Sequence, residues 1–370
     1  MASRSARTGF RASAHRGWVS SSTRTTLGRG ARWLSRPRLE MVEGMGDDSY
    51  THGKTEFDDR IVAEADAQWP VMPGRYRLVA SLACPWASRA VIVRRLLGLE
   101  HAISLAVVDP IQDERSWRFT LDPDGLDPVL GIGYLFEAYD ARRADYTNGV
   151  SVPAVVDVPT GQLVTNDYST LTLDLSTQWR DHHREGAPDL YPEALRREID
   201  DVMARIYTDL NDAVYGAGFA RSQRAYGHSY GRVFDCLDWL SARLRDQRYL
   251  VGETITEADV RLFTTLVRFD TVYHGHFKCN RNKLTEDPVL DAYLLDLYQT
   301  PGFGDTVNHA HIKHHYHKVH TDLNPLAIVP NGPRQDWSRP HWREKLGGSP
   351  FGDGSPPTLP TDLREYRWQP

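Results

Sequence analysis

The chain has 370 residues, 40% of them apolar and 25% charged, the composition of an ordinary globular protein whose length suits about two domains with appendages. No run of about 18 apolar residues occurs, so no segment reads as a membrane-spanning helix. Three cysteines exclude a disulfide framework, and their odd number favours a reducing compartment, the cytosol in the simplest case.

Residues 1–39 hold nine arginines and no acid; subtracting those charges from the formal net charge of −5 leaves −14 on the remainder, which disfavours nucleic-acid binding. The segment is arginine- and serine-rich like an organelle transit peptide, without the apolar core of a secretion signal. The competing reading is an extension ahead of a start at Met41 or Met45. Either way residues 1–45 are expected to form no stable structure.

Regular patterning begins near Met72. In "RYRLVAS", Tyr76, Leu78 and Ala80 alternate with Arg75, Arg77 and Val79, which predicts a strand. "CPWASRAVIVRRLLGLE" follows, with Trp86, Ala90, Val93 and Leu97 at helical spacing and Arg89, Arg94 and Arg95 off that stripe. Pro85 suits a first helical position and Gly98 a stop. "ISLAVVD" from Ile103 predicts a second strand, parallel to the first through a right-handed crossover.

Residues 110–148 are rich in polar residues, Gly and Pro, and show no period. "SVPAVVDVPTGQLVTND" predicts a hairpin turning at Pro159, Thr160 and Gly161, and Asn166 and Asp167 suit the cap of a helix beginning near Tyr168. Strand, helix, strand, hairpin, helix is the order of a thioredoxin-like domain. From about Pro192 the signals are helical. "TEADVRLFTTLVRFDTVY" opens with Thr256 and Asp259 as a capping box and places Leu262, Leu266, Phe269 and Tyr273 on one face. The tail beyond Pro330, rich in Pro, Gly and Trp, is expected to dock or to stay flexible. The predicted organisation is an arginine-rich segment over 1–45, a thioredoxin-like domain over 46–185, an all-helical domain over 186–330 and the tail over 331–370.

Cys84 sits at the predicted helix N-terminus, where unpaired amides and the helix dipole favour negative charge and lower a thiol's pKa. That placement reads as a nucleophile. Position 87 is Ala87, so no C-x-x-C partner exists and catalysis would pass through a mixed disulfide with a small thiol. Cys236 and Cys279 read as structural. Val152–Pro153 at the start of a strand is expected to be cis, opposite the cysteine. The histidines of "NHAHIKHHYHKVH", with His311 and His315 on one helical face, read as a solvated or substrate-lining cluster rather than a metal site.

"YRLVASLACPWASRAVIVRRLLGLE", "GFARSQRAY", "RYLVGETITEADVRLFTTLVRFDTVYHGHFKCN" and "HIKHHYHKVHTDLNPLAIVPNGP" together resemble the glutathionyl-hydroquinone reductases, the Xi class of glutathione transferases, over most of residues 70–335. The resemblance implies a homodimeric enzyme with its active site between a thioredoxin-like and an all-helical domain, acting on thiol conjugates of quinones without a metal. Cys84 matches the catalytic cysteine. Tyr215, Tyr316 and Tyr273 match the lining of the ring pocket, with Trp86 beside them, and the Tyr215 and Tyr316 phenols would assist proton transfer. Trp117 matches a tryptophan covering the thiol, Val152 with Pro153 its backbone anchor, and Asp167 and Ser169 the grip on the γ-glutamyl end. The chain departs from the family pattern at Ser88, where "CPWAH" has histidine, and at Tyr168, where "NESS" has its first serine. The second departure removes a small donor at a helix N-terminus and suggests a thiol other than glutathione, such as mycothiol. Two other readings stay open: a conjugating transferase that leaves no adduct on Cys84, and a transferase-fold binding module with an unreactive sulfur.

Overall fold

The computed structural model describes residues 55–358. The arginine-rich opening, with its targeting and upstream-start readings, lies outside these residues. Four strands form one mixed sheet: β1 (Tyr76–Ala80), β2 (Ile103–Val107), β3 (Ala154–Asp157) and β4 (Gln162–Thr165), in the order β2-β1-β3-β4. β1 and β2 run parallel with Tyr76 opposite Ile103, joined by helix α1 (Pro85–Leu96); β3 pairs antiparallel with β1 and with β4. This is the predicted thioredoxin-like order.

α1 has no solvent face. All twelve of its residues are buried, the three arginines included, because the helix lies between the sheet and the helical domain. Each arginine therefore finds a polar partner: Arg89 donates to Asn211, Arg94 to the Ile103 carbonyl, and Arg95 to Asp305. The helix ends where predicted, with Gly98 at φ +71°, and a Cβ there would lie 2.6 Å from the Arg184 Cβ.

The stretch without a sequence period contains α2 (Phe136–Arg142) and is pinned to the sheet by a buried ion pair. Arg77 of β1 donates from Nε and Nη2 to Asp127 at 2.8 and 2.5 Å, and Asp127 also accepts from the Val129 and Leu130 amides. Helix α3 (Leu171–Thr177) begins three residues later than expected. Asp167 does not cap it; its carboxylate accepts from the Ser169 amide and from the Ser169 and Thr170 hydroxyls, making a turn ahead of the helix.

The remainder is helical: α4 (Arg196–Ile206), α5 (Ala213–Gly218), α6 (Gln223–Leu244), α7 (Glu257–Arg268), α8 (Pro288–Gln299) and α9 (His309–Val319). Asp259 accepts from the Thr256 amide and hydroxyl, the predicted box, and also from the Leu250 amide and the Tyr293 hydroxyl. α7 does not run through to Tyr273 as one helix. It ends at Arg268 and passes into a π-helical turn over Phe269–Tyr273, a distortion often found at functional sites.

The described part of the tail docks. Trp337 stacks on Tyr298 at 4.2 Å, and Arg343, 0% exposed, donates to the carbonyls of Leu244, Gln247 and Arg248. The Pro350 carbonyl accepts from the Ile255 amide, and Arg184 donates to the Ser355 carbonyl.

Candidate active site

Cys84 is the N-cap of α1, with extended backbone and Pro85 at the first helical position. It is half-buried and free, and its Sγ donates to the Val152 carbonyl at 3.4 Å. The Val152–Pro153 peptide is cis, and that contact sets the sulfur facing the proposed backbone anchor.

The charge state corrects the sequence expectation. Burial pushes the Cys84 thiol up from its usual value. The Ala87 amide, the Arg268 guanidinium, the Trp86 amide and Arg89 all pull the other way, as a helix N-terminus should, but crowding of the sulfur by protein atoms outweighs them. Although the residue keeps some exposure, the resting group is a thiol donating to a carbonyl rather than a standing anion. The other two cysteines are buried, and desolvation pushes both thiols up to about 12.

Aromatic side chains from both domains gather on the same side. The Trp86 ring lies 4.8 Å from Tyr168, 5.8 Å from Tyr207 and 6.4 Å from Tyr215. Three phenols from α5, the π turn and α9 meet there: Tyr215 and Tyr316 hydroxyls lie 2.5 Å apart, and Tyr273 lies 3.2 Å from Tyr316. All three are buried, and desolvation raises them first of all, so they remain protonated at neutral pH and can donate. Trp117 joins the group through His315, on which it stacks at 5.4 Å, and the His315 ring lies 5.5 Å from Tyr316.

Asp167 and Ser169 engage each other in the turn ahead of α3, and the Ser169 carbonyl accepts from Arg261. Between them Tyr168 turns inward, its hydroxyl 3.1 Å from that of Tyr207. Among the histidines of α9, His309, His314 and His315 keep partial exposure, whereas His311 and His317 are buried. His311 is fully buried, and His315 Nδ1 lies 2.7 Å from the Pro110 carbonyl. Burial lowers His276 and His315 to about 4 and His320 well below its usual value, leaving neutral rings. Among the described residues no three His, Cys, Asp or Glu side chains are placed to share a metal ion.

Sequence reasoning missed two participants. Tyr207 has no distinguishing local signal. Arg268 has one: a charge in the apolar run "FTTLVRF". It is 2% exposed and donates to the carbonyls of Leu82 and Ala83, directly before the nucleophile.

A family model of the glutathione S-transferase C-terminal domain matches residues 194–295. The glutathionyl-hydroquinone reductase PcpF of Sphingobium chlorophenolicum is 41% identical over 304 residues, 80% of this chain and 96% of the relative. A glutathione transferase from Gordonia bronchialis superposes with a TM-score of 0.82 at 59% identity, over 83% of this chain and 96% of its own. The glutathione-bound structure of YqjG, a glutathione transferase homolog from Escherichia coli K-12, does so with a TM-score of 0.73 at 38% identity, over 78% and 96% of the two chains. Likeness of this extent, across both domains, places the chain in the glutathionyl-hydroquinone reductase family, the Xi class of glutathione transferases, and makes it an enzyme.

Proposed function

We propose that the chain is a monothiol reductase that removes a low-molecular-weight thiol from thiol–hydroquinone conjugates through Cys84. The observation that carries this reading is a single half-buried sulfur at a helix N-cap, facing a backbone carbonyl, with no second cysteine in reach. In the first step Cys84 loses its proton and its sulfur attacks the sulfur of the conjugate. The S–S bond forms as the S–C bond to the ring breaks, and the ring carbon takes up a proton to give the free hydroquinone. In the second step a second thiol molecule attacks the mixed disulfide, leaving as the oxidised dimer and returning Cys84 as thiolate. Tyr215 and Tyr316 hydrogen-bond a ring oxygen and supply the proton through their short contact, with Tyr273 holding the pair in place. Trp86 walls the ring, Trp117 covers the thiol, and Val152 holds the thiol's backbone. Mass spectrometry after incubation with a conjugate tests the scheme: an adduct on Cys84, absent in Cys84→Ser, supports it, and turnover without an adduct assigns a conjugating transferase instead.

The thiol itself has two readings. Glutathione is supported by the YqjG relative, which was solved with it bound. A sugar-based thiol such as mycothiol is favoured by Tyr168, whose ring rests on Trp86 where the family pattern has a serine hydroxyl. Thermal-shift titration with both thiols separates them, and preferential stabilisation by glutathione rules out mycothiol. We further place the enzyme in the reducing cytoplasm as a homodimer, the latter checked by light scattering on the purified protein. No helix among the described residues is long and apolar enough to cross a membrane.

A further inference from the structure

We propose that Arg268 is a positioning residue for Cys84: reaching from the helical domain into the turn ahead of α1, it fixes the backbone beside the sulfur and holds next to it a buried positive charge that no carboxylate balances. The proposal rests on reading Cys84 as the nucleophile.

The guanidinium makes four bonds. Nε donates to the Ala83 carbonyl at 3.0 Å and Nη2 to the Leu82 carbonyl at 3.1 Å, so two consecutive carbonyls before the nucleophile are held by one planar group. Nη2 also donates to the Ser88 hydroxyl at 2.8 Å, and that hydroxyl donates to the Cys84 carbonyl at 2.9 Å. Nη1 donates to the Thr264 carbonyl at 2.6 Å, one turn back along α7. The nucleophile's turn is therefore gripped from before and, through Ser88, from behind. Serine at position 88, the departure from the family's histidine, is the link in this grip.

Every acceptor is neutral. Other buried arginines divide: Arg77 meets Asp127 and Arg95 meets Asp305 as ion pairs, whereas Arg89, Arg94 and Arg343 bond neutral acceptors; Arg268 is of the second kind, and its acceptors flank Cys84. Among the described residues Arg268 has no such ion pair, and a buried cation left alone is costly. Cys84 supplies the missing anion when it ionises. Arg89 from α1 and Tyr273 from the π turn also face the sulfur, while Tyr316, His309 and His315 face Arg268. Their phenols and imidazoles stay neutral at pH 7, so Arg268 and Arg89 are the charges that act on the thiolate.

The test is the rate of Cys84 alkylation by iodoacetamide against pH, read by mass spectrometry on the full chain, which needs no thiol conjugate and so stands or falls apart from the proposed reaction. Arg268→Gln is expected to raise the pH midpoint by about one unit or more, the effect of losing an opposite charge at close range. Arg268→Lys keeps the charge without the planar fork. It is expected to hold the midpoint within about half a unit while changing the alkylation rate severalfold, because the turn is no longer gripped. A folded Arg268→Gln with the wild-type midpoint overturns the proposal. If Arg268→Gln does not fold, Arg268→Lys decides, and a wild-type rate and midpoint in that variant overturn it equally.

Discussion

Asp259 should be among the costliest single carboxylates to remove from this protein. It is 0% exposed, and its two oxygens accept four hydrogen bonds: the Leu250 amide at 2.9 Å, the Thr256 amide at 2.9 Å, the Thr256 hydroxyl at 3.0 Å and the Tyr293 hydroxyl at 2.7 Å. In Asp259→Ala the two hydroxyls can rotate toward other acceptors, but the two amides cannot. A buried donor left without a partner costs about 1–3 kcal/mol, so the amides alone set a loss of about 2–6 kcal/mol. Replacing an ordinary helix cap costs about 0.5–2 kcal/mol, and a whole protein is stable by about 5–15 kcal/mol, so the substitution should remove a large part of the total. Asp259→Asn keeps one carbonyl oxygen and should fall between the two. Urea unfolding followed by circular dichroism measures the change. A loss under about 1 kcal/mol in the alanine variant would refute the reasoning, because it would mean water reaches those amides.

The Cys84 thiol, pushed up by burial, should be alkylated with a midpoint above the value of about 8.5 for a free cysteine, and conjugate reduction should climb as pH rises toward it; a midpoint below neutrality contradicts the dominance of desolvation. Tyr168→Ser restores a small hydroxyl ahead of α3 and should increase thermal stabilisation by glutathione over that seen in the wild type; equal shifts in the two proteins sink the role given to this ring. Arg343→Ala deletes three hydrogen bonds to the end of α6 and the loop after it and should speed chymotryptic cleavage at Trp337 and Trp342 about tenfold or more, as expected when local opening loses a barrier of about 1.4 kcal/mol; unchanged cleavage means the tail is held by other contacts.

The sheet was readable because each strand is short and bounded by clear turn chemistry, and Thr256 with Asp259 announced the start of α7. Local pattern could not reveal that α1 is buried all round. Its three arginines look like a solvent face until Asn211, Ile103 and Asp305 are brought to meet them from distant parts of the chain. The α3 boundary slipped for a related reason: Asp167 has two ways to satisfy nearby donors, and the turn through Ser169 and Thr170 wins over the cap. At the site, the position of Cys84 at its helix N-terminus followed from the local pattern, whereas the meeting of the three tyrosines was implied only by the family resemblance. The sign of the thiol's shift followed from neither, since helix-terminal amides are a local property and crowding of the sulfur depends on what the helical domain packs over it.

The strap formed by residues 337–355 bears on how the chain matures. Trp337 covers Tyr298, Arg343 closes the end of α6, and Ser355 reaches Arg184 beside the end of α1. Those acceptors are made long before the groups that cover them, so on the ribosome the carbonyls of Leu244, Gln247 and Arg248 stay wet until translation has passed Arg343. Closure over that seam thus comes late in translation, and a nascent chain stalled before Arg343 would display it partly open to chaperones and proteases.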